Sequence, residues 1–87
     1  MREDFAERRR RRSELLEALY RATDGDVAEF VAVGDLAEPL GIEPGELRRI
    51  VGYLEERHWI VVDDHKAGIV RITADGVDRV EAPPEGT

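Results

Sequence analysis

The amino-acid sequence predicts a small α+β domain, with about four helices and an antiparallel sheet of two or three strands. Three observations carry that prediction. Leu47, Ile50, Val51 and Leu54 repeat at the i, i+3, i+4, i+7 spacing that lines one side of a helix. Trp59-Ile60-Val61-Val62 and Ile69-Val70-Arg71-Ile72 are β-prone runs separated by a polar turn. The chain has 87 residues and no cysteine, so one hydrophobic core must hold it without disulfides.

Residues 3 to about 22 read as a first helix, because Leu15, Leu16, Leu19 and Ala22 recur at helical spacing. Glu3, Asp4 and Glu7 suit its positive N-terminal end, and Thr23-Asp24-Gly25-Asp26 stops it. Arg8 and Arg12 continue the stripe of Leu15 and Leu19, with Phe5 beyond them. An unpaired Arg cannot enter a core, so the leucine half is expected to pack and the arginine half to project past the domain. Residues 27–33 read as a turn and a short strand, with Val31 and Val33 on one side of it. Asp35 to Leu40 read as a short helix with Leu36, Ala37 and Leu40 inward. Pro39 lacks an N–H, a loss that a helix tolerates near its start, and Gly41 suits a left-handed C-terminal cap.

The helix over 44–58 has Pro44 at its first position and Glu46 in its first turn, both favourable there. Residues 59–62 and 69–72 form a hairpin around the turn 63–68. Thr73 can N-cap a last helix through Val77 and Val80. Residues 82–87 read as a mobile Pro-rich tail, 13–81 as the domain and 1–12 as an Arg-rich extension of the first helix. Trp59, Tyr20 and Phe30 are expected in the core or at its edge.

Charge narrows the function classes. The net charge is -7, yet residues 1–12 carry six Arg against three acids, whereas 13–41 carry one Arg against seven. Such a chain does not bind nucleic acid indiscriminately; any DNA contact must come from a local basic surface. The absence of cysteine excludes a thiol nucleophile and a cysteine–zinc site. His58, Asp63, Asp64 and His65 do not converge as metal ligands, because neighbours on a strand point to opposite faces. Ser13 has no plausible His partner, and no Gly-rich phosphate loop is present. The chain therefore reads as a binding protein, not an enzyme, with no cofactor. No apolar run reaches the ~20 residues of a membrane span, and the N-terminus lacks a signal-peptide pattern, so a cytoplasmic protein away from the membrane is expected.

The two central helices are joined by Gly41-Ile42-Glu43, which gives a helix-turn-helix, and the hairpin that follows makes a wing. Here the chain resembles the prokaryotic winged helix-turn-helix family, MarR-like and PadR-like in the broad sense. Residues 33–42 are similar to its second helix and turn, x-x-x-L-A-x-x-L-G-I. Residues 47–57, with the ending Tyr53-Leu54-Glu55-Glu56-Arg57, are similar to its recognition helix, and Ile72-Thr73-Ala74-Asp75-Gly76 to the motif after its wing. The likeness spans residues 13–81. His58 stands where the family usually has Gly, and Asp35, Glu38, Glu43 and Glu46 stand where the family approaches phosphates.

The resemblance implies a DNA-binding regulator of transcription, acting as a homodimer on double-stranded DNA. The third helix would enter the major groove and the wing, 59–72, would touch the backbone. Opposite the apolar stripe of that helix stand Gly45, Arg48, Arg49, Gly52 and Glu56. Arg48 and Arg49 would read or clamp, Gly45 and Gly52 would permit close approach, and Lys66 and Arg71 would position the wing. Arg8, Arg9 and Arg12, with Phe5, fit a DNA backbone arm, a contact with the acidic 13–41 surface of a second copy, or a solvated helix end. Dimerisation would run through the first and last helices. The alternative is a winged-helix protein–protein interaction module that does not bind DNA.

Overall fold

The computed structural model describes residues 5–82. In chain order its elements are α1 (Phe5–Thr23), β1 (Val31–Ala32), α2 (Val33–Leu40), α3 (Pro44–Glu56), β2 (Ile60–Asp64), β3 (Ile69–Ile72) and α4 (Ala74–Glu81). The helix start expected at Glu3 and Asp4 and the tail residues 83–87 lie outside the described residues. The strands form one open antiparallel sheet in the order β1-β3-β2. Four helices with this sheet are the expected α+β architecture and are consistent with a winged helix.

The core is built from Leu15, Leu16 and Leu19 of α1, Ile50 and Leu54 of α3, and Ile60, Val70 and Ile72 of the hairpin. Val33, Ala37 and Ile42 close it from the α2 side. The buried stripe of α1 ends in Thr23, not Ala22, which is exposed. Thr23 can be buried because its hydroxyl donates to the Leu19 carbonyl at 2.9 Å. Asp24 (φ 55°) and Gly25 (φ 76°) then turn left-handed and end the helix.

Several expectations need correction. Val33 is not part of the strand: it opens α2, donates from its backbone N–H to the Gly68 carbonyl at 2.8 Å, and buries its side chain. Pro39 lies in the last turn of α2, one residue before its end at Leu40, not near its start. Only one ladder bond is lost there, and the next residues rebuild the end. Gly41 (φ 70°) donates to the Glu38 carbonyl and Ile42 to the Ala37 carbonyl, which closes the helix and fixes the turn into α3.

Helix α3 stops at Glu56, before the expected residue 58. His58 adopts φ 63°, and the Trp59 N–H reaches back to the Leu54 carbonyl at 3.0 Å. Strand β2 runs on to Asp64, so the wing turn is shorter than 63–68. Its register skips Asp63, which is the extra residue of a bulge between Val62 and Asp64. Thr73 caps α4 as expected: its hydroxyl oxygen accepts from the Gly76 N–H at 2.9 Å. The same hydroxyl donates to the His58 carbonyl at 2.6 Å, tying α4 to the end of α3. Phe30 is not core; it is 57% exposed, while Tyr20 and Trp59 are half-buried against the core.

Candidate nucleic-acid interface

The outer side of α3 follows directly from its apolar stripe. With Ile50 and Leu54 buried, helical geometry turns Gly45, Arg48, Arg49, Gly52 and Glu56 outward, and all five are exposed. A Cβ placed on Gly45 or Gly52 would find no atom within 4 Å, so the helix backbone is open to a close neighbour at both positions. No carboxylate of the described residues pairs with Arg48 or Arg49.

On one side of this face lies the N-terminal half of α1. The arginine half does not project past the domain as expected; it lies along α3, because α3 offers it a carboxylate and an aromatic ring. Arg11 Nε is 3.6 Å from Glu46 Oε2, and Arg11 Nη1 donates to the Gly41 carbonyl at 3.4 Å. The Arg12 guanidinium stacks over the Tyr53 ring, 4.0 Å from its centroid. Arg8, Arg12 and Arg49 then share a shallow cleft of about 80 Å³ with Glu46 and Ile50. Sequence reasoning missed Arg11, since nothing in a run of five arginines marks the one that will face a carboxylate on another helix. Its pairing with Glu46 also offsets one of the acids placed where phosphate would approach; Asp35, Glu38 and Glu43 remain exposed.

Arg10 and Arg11 both bond Glu7, and the Arg10 hydrogen bond, followed by that of Arg11, holds the Glu7 carboxyl below its ordinary range. Phe5, expected as an anchor, is exposed, as are Arg8 and Arg9.

On the other side lies the wing, where most of the charge is used internally. Arg71 Nε stands 3.6 Å from Asp63 Oδ2, and its Nη1 donates to the Val27 carbonyl at 3.5 Å. His65 Nε2 lies 3.4 Å from Glu55 Oε2, with the wing tip beside α3. Asp64 builds the turn: its Oδ1 accepts from the backbone N–H groups of Lys66 and Ala67, each at 3.0 Å. Lys66 is exposed, and among the described residues no carboxylate pairs with its ammonium.

Beyond the far end of α3 the chain forms a second concavity. An open groove of about 510 Å³ lies between α1, α3 and α4, with Tyr53 and Trp59 in its wall. The rings meet edge to face at 6.2 Å between centroids. Arg57 and Arg79 lie over the Trp59 ring at 5.0 and 5.3 Å. A guanidinium stacked this way keeps its in-plane N–H donors available to an anion. Trp59, expected in the core, is therefore half core and half groove wall. At the other end of α1, Tyr20 Oη donates to Glu81 Oε2 at 2.6 Å; that bond, then desolvation, raises the Tyr20 pKa above its ordinary value.

Among the described residues no group of three His, Asp or Glu side chains could hold a metal ion, and no helix is long and apolar enough to cross a membrane. No protein-family model matches the chain, and no curated protein or solved structure is similar enough to stand as a relative.

Proposed function

We propose that the chain is a DNA-binding regulator of transcription that reads double-stranded DNA with α3. The observation that carries this reading is the exposed face of α3. Arg48 and Arg49 stand there with no carboxylate partner among the described residues, between Gly45 and Gly52, where the backbone is open. A guanidinium so placed can donate two parallel hydrogen bonds to a guanine edge or a phosphate. The glycines let a groove wall come close without meeting a side chain.

In this reading the two flanks of α3 are not equally suited to hold the backbone. Arg12 and Arg49 share a cleft beside α3, while Arg71 on the wing is held by Asp63. Backbone contact in this reading therefore runs mainly along the α1 flank, with Lys66 as the outlying wing contact. Asp35, Glu38 and Glu43 repel phosphate, so binding depends on the arginines and falls steeply with salt. One small module buries little DNA surface, so the working form is a homodimer in the cytoplasm on two half-sites.

The second reading, a protein-interaction module, has its own specific support: Val27 and Phe30 are exposed, and a groove lined with arginine lies elsewhere on the same surface. Fluorescence anisotropy on random duplex DNA, at low and at about 0.15 M salt, separates the two, since DNA binding tracks the phosphates neutralised. Binding that weakens with salt and vanishes in Arg48→Glu/Arg49→Glu supports the DNA reading. No binding at low salt, or binding untouched by the double substitution, overturns it.

A further inference from the structure

We infer that the groove between α1, α3 and α4 is the docking site for the acidic loop 24–30 of a second copy of this chain, in a reciprocal antiparallel α1 pair. The inference does not rest on the DNA reading; the two concavities share only Arg12, which lines both.

The groove is built to receive an anion that carries apolar groups. Arg9, Arg12 and Arg79 face it with no carboxylate partner among the described residues, and the one carboxylate of the lining, Glu17, is held by Arg21. Two of them are already held in place: Arg12 is stacked on Tyr53 and Arg79 on Trp59. Preorganised guanidinium groups lose less side-chain freedom when they bind, which strengthens binding without adding contacts. Ala6, Leu16 and Val80 contribute apolar surface to the lining.

The loop that follows α1 is the matching object. Asp24, Asp26 and Glu29 pair with no cation among the described residues. Between and beside them, Val27 is 41% and Phe30 57% exposed. The loop is also ordered in advance. The Asp26 N–H donates to the Thr23 carbonyl at 3.0 Å, and Asp26 Oδ1 accepts from the Ala28 N–H at 2.9 Å. Arg71 donates to the Val27 carbonyl from the sheet. Such a loop presents carboxylates and two apolar side chains as one rigid surface.

Groove and loop cannot meet within one chain. The groove is lined by α1 residues from Ala6 to Glu17, whereas the loop leaves past Thr23 and is tied back to the Thr23 carbonyl and, through the Val27 carbonyl, to Arg71. Yet they lie along one side of α1. Ala6, Arg10, Ser13, Glu17 and Tyr20 follow at steps of three and four, and Asp24 continues the series just past the helix end. Arg9 and Arg12 of the groove flank the start of that series and make it basic, since Arg10 itself is bonded to Glu7; Asp24 and Asp26 make its end acidic. Two copies laid antiparallel about a two-fold axis set each basic end against the partner's acidic end, so both docks form together and the assembly closes.

Net charge opposes the pairing, since each copy carries -7. The opposition is long-range, and at about 0.1 M salt the screening length is about 10 Å. Contacts within the dock are shorter than that and survive, whereas the repulsion between distant surfaces is damped.

Sedimentation velocity of the full chain at about 0.1 M salt tests the inference, with circular dichroism to show that each variant is folded. Wild type should dimerise. Arg9→Glu/Arg79→Glu should weaken the dimer at least about tenfold, and so should Asp26→Lys/Glu29→Lys. Mixed together, these two variants should pair again, because each reversed groove then meets a reversed loop and each native groove a native loop. If a reversal disturbs the fold, Arg9→Ala/Arg79→Ala and Phe30→Ala replace it, with weaker dimers expected. A wild type that stays monomeric, or reversals that leave the dimer unchanged, would overturn the assignment. So would a mixture that fails to pair. Loss of DNA binding in Arg9→Glu/Arg79→Glu with an unchanged dimer would give the groove to DNA and overturn it equally.

Discussion

The two flanks of α3 carry similar residue types and end up with different available charge. On the α1 flank, Arg12 stands on a tyrosine ring and Arg49 beside it, with no carboxylate paired to either among the described residues. On the wing flank, Arg71 faces Asp63 and His65 faces Glu55. A guanidinium held by an aromatic ring keeps its charge and its donors; one beside a carboxylate has its charge offset and some of its donors engaged. Counting Lys and Arg along a sequence therefore misses which of them are already engaged: Arg71 on the wing, Arg10 and Arg11 on the first helix.

The largest expected effect is on the wall that supports the α1 flank. A Cβ at Gly76 would overlap the Trp59 carbonyl oxygen and lie 2.8 Å from Ile72 Cγ1, and backbone cannot move aside as a side chain can. Gly76→Ala should lose about 2–3 kcal/mol in urea unfolding. It should also loosen Trp59, seen as a shift in its fluorescence before unfolding. A variant as stable as wild type would show that the packing beneath Trp59 is slack.

Next come the flanks themselves. Arg12→Ala/Arg49→Ala should lower the salt slope of DNA binding by about two, one for each phosphate contact. Lys66→Ala/Arg71→Ala should lower it by about one or less, since Arg71 is already engaged. Equal effects would erase the distinction between the flanks. Asp63→Ala sharpens it from the other direction: releasing Arg71 should tighten DNA binding several-fold and raise the slope. Gly52→Ala should raise stability by up to about 1 kcal/mol, because an open helical glycine gains backbone order, while Gly52→Leu should block DNA without unfolding the chain.

The smallest effect is on pH. The Glu7 carboxyl titrates below its ordinary value of 4.5 in the folded chain. Its contribution is complete above that unfolded value and is lost as pH falls through the lower folded one. The start of α1 should fray first in acid, read as loss of amide protection there with the α3 core intact. Tyr20 behaves oppositely: its folded pKa is raised, so its contribution holds below its ordinary value of 10.0 and is lost as pH rises through the folded one.

Most of the fold was legible in the sequence because it rests on local signals. The apolar spacing of α3, the Thr73 cap and Gly41 are each decided within a few residues. The errors lie elsewhere. Val33 opens α2 instead of continuing β1, although its N–H still reaches the Gly68 carbonyl of the hairpin; Pro39 lies near the end of its helix, not its start, for the helix ends at Leu40 as expected. Phe30 follows a turn that carries it away from the core, which no hydrophobicity pattern reveals. Of the site, the exposure of Arg48 and Arg49 was legible from helical geometry alone. The placement of Arg11 on Glu46 and of Arg12 on Tyr53 was not, since each joins residues more than thirty positions apart. Asp64, considered in the sequence as a metal ligand, is the acceptor that shapes the wing turn.

The bulge at Asp63 has a consequence for the sheet's borders. In the order β1-β3-β2, the two outer strands are β1, only two residues long, and β2. The outer border of β2 is interrupted by the bulged residue and ends in two exposed aspartates. A new strand laid along it would lose register at the bulge and meet like charge from any acidic neighbour. The short β1 and the bulged, acidic border of β2 thus offer a poor template for adding strands from another chain.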